Sequence, residues 1–301
     1  MGNNTSGNND VIDDPLKYCS LVSKEDVTAL GQISIYKENG EGRQFLVLQS
    51  NYSIPNPEMA EAEVSALRML DGVKNYCRVF NSHIERAQLL CFDNYVLTVG
   101  FEYYPENLET LSSSNSKQIN PDEGDLWLII EDLIQFLSDL NSFGLTHGDL
   151  QPKFILFNSN RVVKVVCPLL YTVYGNAYQL RLANDDYHST FAPELLEAYE
   201  HRSVTPENDP LRSDIFSLGI CILGYVLHQD YRSFYDFHSN LVKVDRVRLL
   251  LSELPNNGYS EELFYFLSSC LKPSFYDRAN LDSLKKIIQT RKKRTKNLYW
   301  Q

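Results

Sequence analysis

The sequence predicts an α+β fold, and three observations lead to that prediction. Two apolar runs, at residues 32–37 and 45–49, flank Asn39-Gly40-Glu41-Gly42, which is typical of two strands joined by a hairpin turn. Apolar residues at helical spacing extend from Leu126 to Leu140. A chain of 301 residues with 43% hydrophobic content can also bury a large core.

Two further elements are predicted from local pattern. Apolar residues follow Glu63 at helical spacing as far as Leu70, which predicts a helix. The polar run from Ser112 to Gln118 predicts a loop that leads into the next helix. The apolar positions of that next helix are Leu126, Ile129, Ile130, Leu133, Phe136, Leu137 and Leu140. No apolar run approaches the roughly 18 residues that a membrane span needs, so we expect a soluble protein.

The segment from His147 to Leu156, HGDLQPKFIL, is the most informative motif. It resembles the catalytic loop of eukaryotic protein kinases, which reads H-R-D-L-x-x-x-x-N. Residues 189–194, STFAPE, are similar to the A-P-E segment that ends a kinase activation loop. Residues 213–219, SDIFSLG, are similar to the D-x-x-S-x-G segment of a buried kinase helix. The order of these motifs identifies the chain as a member of the protein kinase-like superfamily over about residues 25–290.

The resemblance implies a bilobal protein kinase-like fold with a small β-rich N-lobe and a larger α-helical C-lobe. The N-lobe would cover about residues 25–106 and the C-lobe about residues 107–290. A flexible leader, residues 1–24, would precede the domain, and a basic tail, residues 291–301, would follow it.

The resemblance also assigns three structural residues in the C-lobe. Asp214 would accept backbone N–H bonds from the catalytic loop. Glu194 would pair with Arg278, since a buried carboxylate needs a partner to offset its desolvation.

The catalytic loop departs from the family where phosphate and metal are held. Asp149 occupies the position of the base that accepts the substrate hydroxyl proton. Phe154 stands where an asparagine binds magnesium, and it has no oxygen to offer a hard cation. Gly148 replaces an arginine and Gln151 replaces a lysine, so two positive charges are missing near the phosphates.

The nucleotide side of the predicted cleft also lacks residues that hold phosphate in the family. Gln49 aligns with the strand lysine that would pair with Glu63. No glycine-rich phosphate loop precedes Gln49. Phe101 corresponds to the gatekeeper and Tyr103 to the hinge that meets adenine.

The position of the main magnesium carboxylate also carries a different residue. Cys167 lies 18 residues after Asp149, at the family spacing of the D-F-G aspartate, and is followed by Pro168-Leu169. A soft-metal ligand or a reactive thiol is one interpretation of Cys167. We favour a small buried apolar side chain, because no Cys or His lies near it in sequence.

These losses predict a pseudokinase that acts as a signalling scaffold or allosteric partner. Removing one preorganised group costs roughly 100- to 1000-fold in rate, and the lysine, the asparagine and the D-F-G aspartate are all replaced. One alternative is an active, atypical protein Ser/Thr kinase that uses Asp149 as base, with Lys164, Asp185 or Asp186 as substitute groups. A less favoured alternative is a small-molecule phosphotransferase, since those enzymes share the H-G-D form of the loop.

Cofactor and partner predictions follow from this interpretation. We expect no cofactor, and ATP with magnesium only if the active alternative holds. A protein partner, either a kinase or a substrate, is expected, whereas a net charge of −11 argues against nucleic acid. Six cysteines without a pairing pattern and no secretory signal indicate a cytoplasmic protein.

Both termini carry features that suggest weak peripheral membrane association. Residues 1–6, MGNNTS, fit the N-myristoylation pattern with Gly2 as acceptor. One acyl chain gives only marginal membrane binding, and the basic cluster at residues 291–296, RKKRTK, could supply the second signal. Favourable charge at a helix C-terminus is the alternative explanation of that cluster.

Overall fold

A computed structural model describes residues 16, 18–28, 31–40, 42–52, 58–89, 92–114, 120–167, 190–203 and 207–298. These residues form ten strands: β1 (Cys19–Thr28), β2 (Gly31–Glu38), β3 (Gln44–Tyr52), β4 (Val79–Leu89), β5 (Phe92–Glu102), β6 (Glu106–Asn107), β7 (Ile155–Phe157), β8 (Val163–Val165), β9 (Tyr235–Asp236) and β10 (Leu241–Val242). They also form eight α-helices: α1 (Glu58–Met69), α2 (Leu108–Ser114), α3 (Glu123–Ser142), α4 (Pro193–Glu200), α5 (Pro210–Val226), α6 (Val244–Glu253), α7 (Glu261–Cys270) and α8 (Leu281–Leu298). The predicted α+β fold is confirmed.

The first part of the chain forms an antiparallel five-stranded sheet in the order β1-β2-β3-β5-β4. Strands β2 and β3 pair across the predicted turn, where Gly40 and Gly42 both have positive φ, so the hairpin is confirmed. One sheet face carries Leu46 and Leu48 into the same buried core as Leu67 of α1. We call this the inner face and the opposite one the outer face.

The second part of the chain is mainly helical and is built around α5. Every residue of α5 from Ser213 to Gly224 is buried, because the helix is covered on all sides. Helix α3 packs against α5 and α8, and its Trp127 ring meets Phe266 of α7 edge-on at 5.5 Å. The predicted helical spacing in α3 is confirmed.

The chain between α1 and β4 links the sheet to the helical part. Val165 of β8 donates its backbone N–H to the Asn75 carbonyl, and Cys77 donates to the Val165 carbonyl. The Asn75 side chain donates to the Val163 carbonyl at 2.9 Å. The apolar core is continuous across this junction.

Three predicted boundaries do not match the structure. The predicted end of the leader, at residue 24, falls inside β1, which is already paired with β2 from Cys19. The predicted start of the tail, at residue 291, falls inside α8, which continues to Leu298. The predicted loop from Ser112 also begins too early, since α2 extends to Ser114. Among the described residues, no helix is both long enough and apolar enough to cross a bilayer.

Candidate functional site

The loop that contains Asp149 is fixed in place by the buried carboxylate of Asp214. Asp214, on α5, accepts the backbone N–H of His147 at 2.8 Å and that of Gly148 at 2.9 Å. Gly148 has φ of 74°, a conformation that glycine adopts without strain. Two charge-assisted bonds therefore tie the loop to a helix that is buried from Ser213 to Gly224.

His147 adds a second anchor, and its contacts indicate its tautomer. Its Nε2 lies 2.9 Å from the carbonyl oxygen of Val166, which can only accept a hydrogen bond. Its Nδ1 accepts the backbone N–H of Asp149 at 3.1 Å. Both contacts are satisfied by a neutral imidazole protonated on Nε2, which joins the Asp149 loop to the segment that leads to Cys167.

The Asp149 side chain faces inward. It is 1% exposed, and its Oδ1 accepts a hydrogen bond from the amide nitrogen of Gln151, which is itself 3% exposed. The Tyr231 hydroxyl in turn donates to Gln151 Oε1 at 3.4 Å. Asp149 thus belongs to a buried chain of polar side chains.

The two positions predicted to have lost metal ligands are both buried. Phe154 lies in a short 3₁₀ turn, Pro152–Phe154, and is 1% exposed. Cys167 is fully buried, and burial raises the pKa of its thiol well above the ordinary value, with Asp214, Cys77 and Glu63 adding to the effect. Within the described ranges, no three His, Cys, Asp or Glu residues are placed to hold a metal ion.

Glu63 and Gln49 lie on different sides of the sheet. Glu63 is fully buried on α1, which packs on the inner face. Gln49 pairs with Thr98 of β5 and donates to its hydroxyl at 3.4 Å. Leu48 lies on the inner face, in the same core as the buried residues of α1. Gln49 therefore points to the outer face, because successive side chains of a strand point to opposite faces. The structure therefore places Leu48, and not Gln49, on the side of β3 that faces Glu63.

The end of β5 is held by an ion pair that sequence reasoning did not identify. Phe101 is fully buried in the core, and Tyr103 is half-buried against it. Between them, Glu102 accepts from the Arg78 guanidinium at 2.9 and 3.1 Å and donates its own N–H to the Arg78 carbonyl at 2.9 Å. These contacts fix the chain where it leaves the five-stranded sheet.

Glu194 and Arg278 form a buried, fully bonded pair. Arg278 donates from two nitrogens to the Glu194 carboxylate at 2.8 and 2.9 Å. Its remaining donors reach the carbonyls of Lys272, Arg212 and Pro273 at 2.9 to 3.1 Å. All five guanidinium donors are satisfied, which offsets the desolvation of the charge.

Of the three proposed substitute groups, Lys164 is the one that the structure describes. The Lys164 ammonium donates to the carbonyls of Lys74 and Tyr76, so it is engaged with the backbone. Asp185, Asp186 and Gly2 lie outside the described residues.

The basic cluster of α8 contacts neighbouring helices. Lys292 pairs with Glu131 at 2.5 Å, and Arg294 pairs with Glu262 at 2.6 Å. The Arg291 guanidinium lies over the Trp127 ring at 4.9 Å. These contacts give three of the five basic residues of the cluster partners within the protein.

A cavity of about 260 Å³ beside the Asp149 loop was not predicted from the sequence. It is lined by residues of α2, by Pro152, and by residues from the end of α5 and the turn after it, including His228, Tyr231 and Arg232. Both ring nitrogens of His228 are buried and make no hydrogen bond within the described part of the chain. No sequence motif marks this cavity, because its walls come from three separated segments.

Comparisons with known proteins add no family assignment. A scan against models of protein families finds no match to this chain, and a search of curated proteins finds no match either.

Proposed function

We propose that the chain is a protein kinase-like domain of the pseudokinase type, which acts as a signalling scaffold or allosteric partner without efficient phosphoryl transfer. In this proposal, the five-stranded sheet with α1 is the N-lobe and the helical part built around α5 is the C-lobe. Asp149 is a retained but inactive catalytic-loop aspartate. The protein partner, a kinase or a substrate, would bind the helical lobe.

The observation that carries the proposal is the burial of Asp149, Phe154 and Cys167, which are the described residues at the predicted base and metal positions. Phosphoryl transfer depends on positioning and on charge stabilisation by magnesium. Phe154 and Cys167 are buried and offer no oxygen, and the Asp149 carboxylate accepts its hydrogen bond from Gln151.

The contacts that shape the loop support the same proposal. Asp214 holds the loop, and Thr190 donates its hydroxyl to the Leu150 carbonyl at 2.6 Å. Ser217 then donates to the Thr190 carbonyl at 2.7 Å. In this proposal, the family architecture persists, while Phe154 and Cys167 replace two of the groups that would bind metal.

The test is thermal unfolding of the purified protein with ATP, with and without magnesium. We expect no magnesium-dependent shift. A ligand at 100 times its Kd stabilises by about 2.7 kcal/mol, which corresponds to a shift of about 5–10 °C for a domain of this size. A shift of that size that requires magnesium would contradict the proposal and favour the active Ser/Thr kinase that uses Asp149.

A transfer assay with the variant Asp149→Asn distinguishes these outcomes further. In radiolabelled ATP with a general protein substrate, wild type and variant should show the same background incorporation. A signal in the wild type that the variant loses would assign Asp149 as a catalytic base.

A further inference from the structure

The outer face of the five-stranded sheet carries a groove of about 300 Å³ with an apolar floor. Val47, which is 2% exposed, lies in this groove opposite Gly100 of β5. Because glycine has no side chain, this cross-strand pair leaves a hollow in the surface of the sheet. The rings of Phe45 and Phe80, which also line the groove, meet edge-on at 5.4 Å. The groove therefore offers a site for an apolar side chain.

The same groove is lined by one acidic and one basic residue, Glu38 and Arg43. Glu38 donates its backbone N–H to the Arg43 carbonyl at 2.8 Å, which holds the two residues opposite each other beside the hairpin turn. The Nε atom of Arg43 lies 3.6 Å from Oε2 of Glu38, which is too long for a hydrogen bond. The two side chains are 59% and 34% exposed, so a ligand from solvent can reach both charges.

The Glu38 carboxylate has hydrogen-bonding capacity that its surroundings do not use. Its Oε2 is shielded from solvent and accepts no hydrogen bond from the residues that the structure describes. An ionised carboxylate can accept about four hydrogen bonds, and a shielded oxygen without a donor is unfavourable. A ligand ammonium group that donates to this carboxylate would supply the missing donor.

These features together select the chemistry of the ligand. An amine would use Glu38 but leave Arg43 without a ligand group, and a carboxylic acid would do the reverse. A purely apolar chain would leave both charges uncompensated beside it. A molecule that carries an ammonium, a carboxylate and an apolar body matches all three features. The volume of about 300 Å³ is at the small end of ligand pockets, which favours a small molecule.

We propose that the outer-face groove binds a free α-amino acid with an apolar side chain. Its ammonium donates to the Glu38 carboxylate, and its carboxylate accepts from the Arg43 guanidinium. Its side chain lies over Val47 against the rings of Phe45 and Phe80. This inference uses no residue of the Asp149 loop and is independent of the proposed pseudokinase function.

The first test is an NMR titration of the full chain, labelled with ¹⁵N, with L-phenylalanine as the probe. We expect a Kd on the order of 1 mM, because the ligand is small and the groove is open. Two analogues separate the charges, since phenethylamine lacks the carboxylate and 3-phenylpropionate lacks the ammonium. Each should bind about tenfold more weakly or worse, because each loses one charge-assisted hydrogen bond. The amide signals of Tyr36 and Phe45, which line the groove, should shift with L-phenylalanine.

Variants of the charged pair give the second test. Glu38→Gln and Arg43→Gln should each weaken the binding of L-phenylalanine by about tenfold. The matched controls are Glu106→Gln and Arg161→Gln, which alter an exposed ion pair outside the groove and should bind as wild type does.

A third variant fills the hollow without touching either charge. In Gly100→Ala, the nearest atom to the new methyl group is the Asn81 carbonyl oxygen at 3.8 Å, an ordinary contact that the fold accommodates. This variant should keep the Tm of wild type and weaken binding by about threefold or more.

Three outcomes would overturn the proposal. The first is the absence of binding by L-phenylalanine at about 20 mM, well above the expected Kd. The second is equal binding of L-phenylalanine and either analogue, which would show that the groove recognises one charge or only an apolar body. The third is binding that Glu38→Gln, Arg43→Gln and Gly100→Ala all leave unchanged, which would place the ligand elsewhere.

Discussion

Replacing Arg278 with methionine should strongly destabilise the helical part of the protein. The Arg278 side chain is fully buried, and the side chain of its partner Glu194 is 8% exposed. The variant leaves that carboxylate with the Ser213 hydroxyl at 2.9 Å, and it removes the Arg278 donors from three backbone carbonyls. Removing one partner of a buried ion pair lowers the free energy of unfolding by about 3–5 kcal/mol.

The measurement is urea unfolding followed by circular dichroism, together with calorimetry. A loss of about 3–5 kcal/mol corresponds to a decrease in Tm of about 6–20 °C for a domain of this size. The matched control is Arg161→Met, because Arg161 and Glu106 form a pair at the same 2.9 Å with side chains 67% and 54% exposed. We expect that control to lower the free energy of unfolding by less than about 1 kcal/mol.

The double variant Arg278→Met with Glu194→Gln separates the ion pair from packing. It should be more stable than the sum of the two single losses predicts, because removing both charges leaves no unpaired buried carboxylate. The reasoning is refuted if Arg278→Met loses less than about 1 kcal/mol, or no more than Arg161→Met.

Three further predictions test burial, sheet faces and charge. In the native protein at pH 8, iodoacetamide should leave Cys167 unmodified, because burial raises the pKa of its thiol, and should modify the partly exposed Cys19. Peptide mass spectrometry checks both sites, and modification of Cys167 in the native protein would contradict its buried position. Leu48→Lys should lower the free energy of unfolding, measured with urea, by about 3 kcal/mol or more, because it puts a charge in the core. Gln49→Lys on the outer face should change that free energy by no more than about 0.5 kcal/mol, and equal losses would show that the two faces are assigned wrongly. A backbone hydrogen bond and Arg294 lower the pKa of Glu262 in the folded protein from its usual 4.5. Ionised Glu262 therefore stabilises the folded protein above pH 4.5, and this contribution is lost as the pH falls through the pKa of the folded state. The Tm difference between wild type and Glu262→Gln should therefore shrink from pH 6 to pH 3, and a constant difference would argue against that ion pair.

The sequence was most informative where a motif has fixed local spacing. The hairpin between β2 and β3 and the helices α1 and α3 follow from turn residues and apolar periodicity. The contacts of Asp214 with the His147 loop and of Glu194 with Arg278 are present as the family resemblance implied. These groups are charged and buried, so the fold must supply their partners.

The sequence was least informative about which way a strand residue points. The run Phe45-Leu46-Val47-Leu48-Gln49 is almost entirely apolar, so it lacks the alternation that would assign its faces. A shift of one residue moves every side chain to the opposite face. Alignment of Gln49 with the family lysine was therefore compatible with the sequence, whereas the Thr98 contact places Gln49 on the outer face.

Asp149 is a weaker argument for catalysis than its position in the motif suggests. A buried carboxylate must be stabilised by hydrogen bonds, and the Gln151 amide stabilises it with a neutral donor. Asp149 thus has a structural explanation that requires neither substrate nor metal. Phe154 and Cys167 are more decisive, because no change of rotamer or protonation gives either side chain the oxygen that magnesium prefers. The case for a non-catalytic role therefore depends on those two residues.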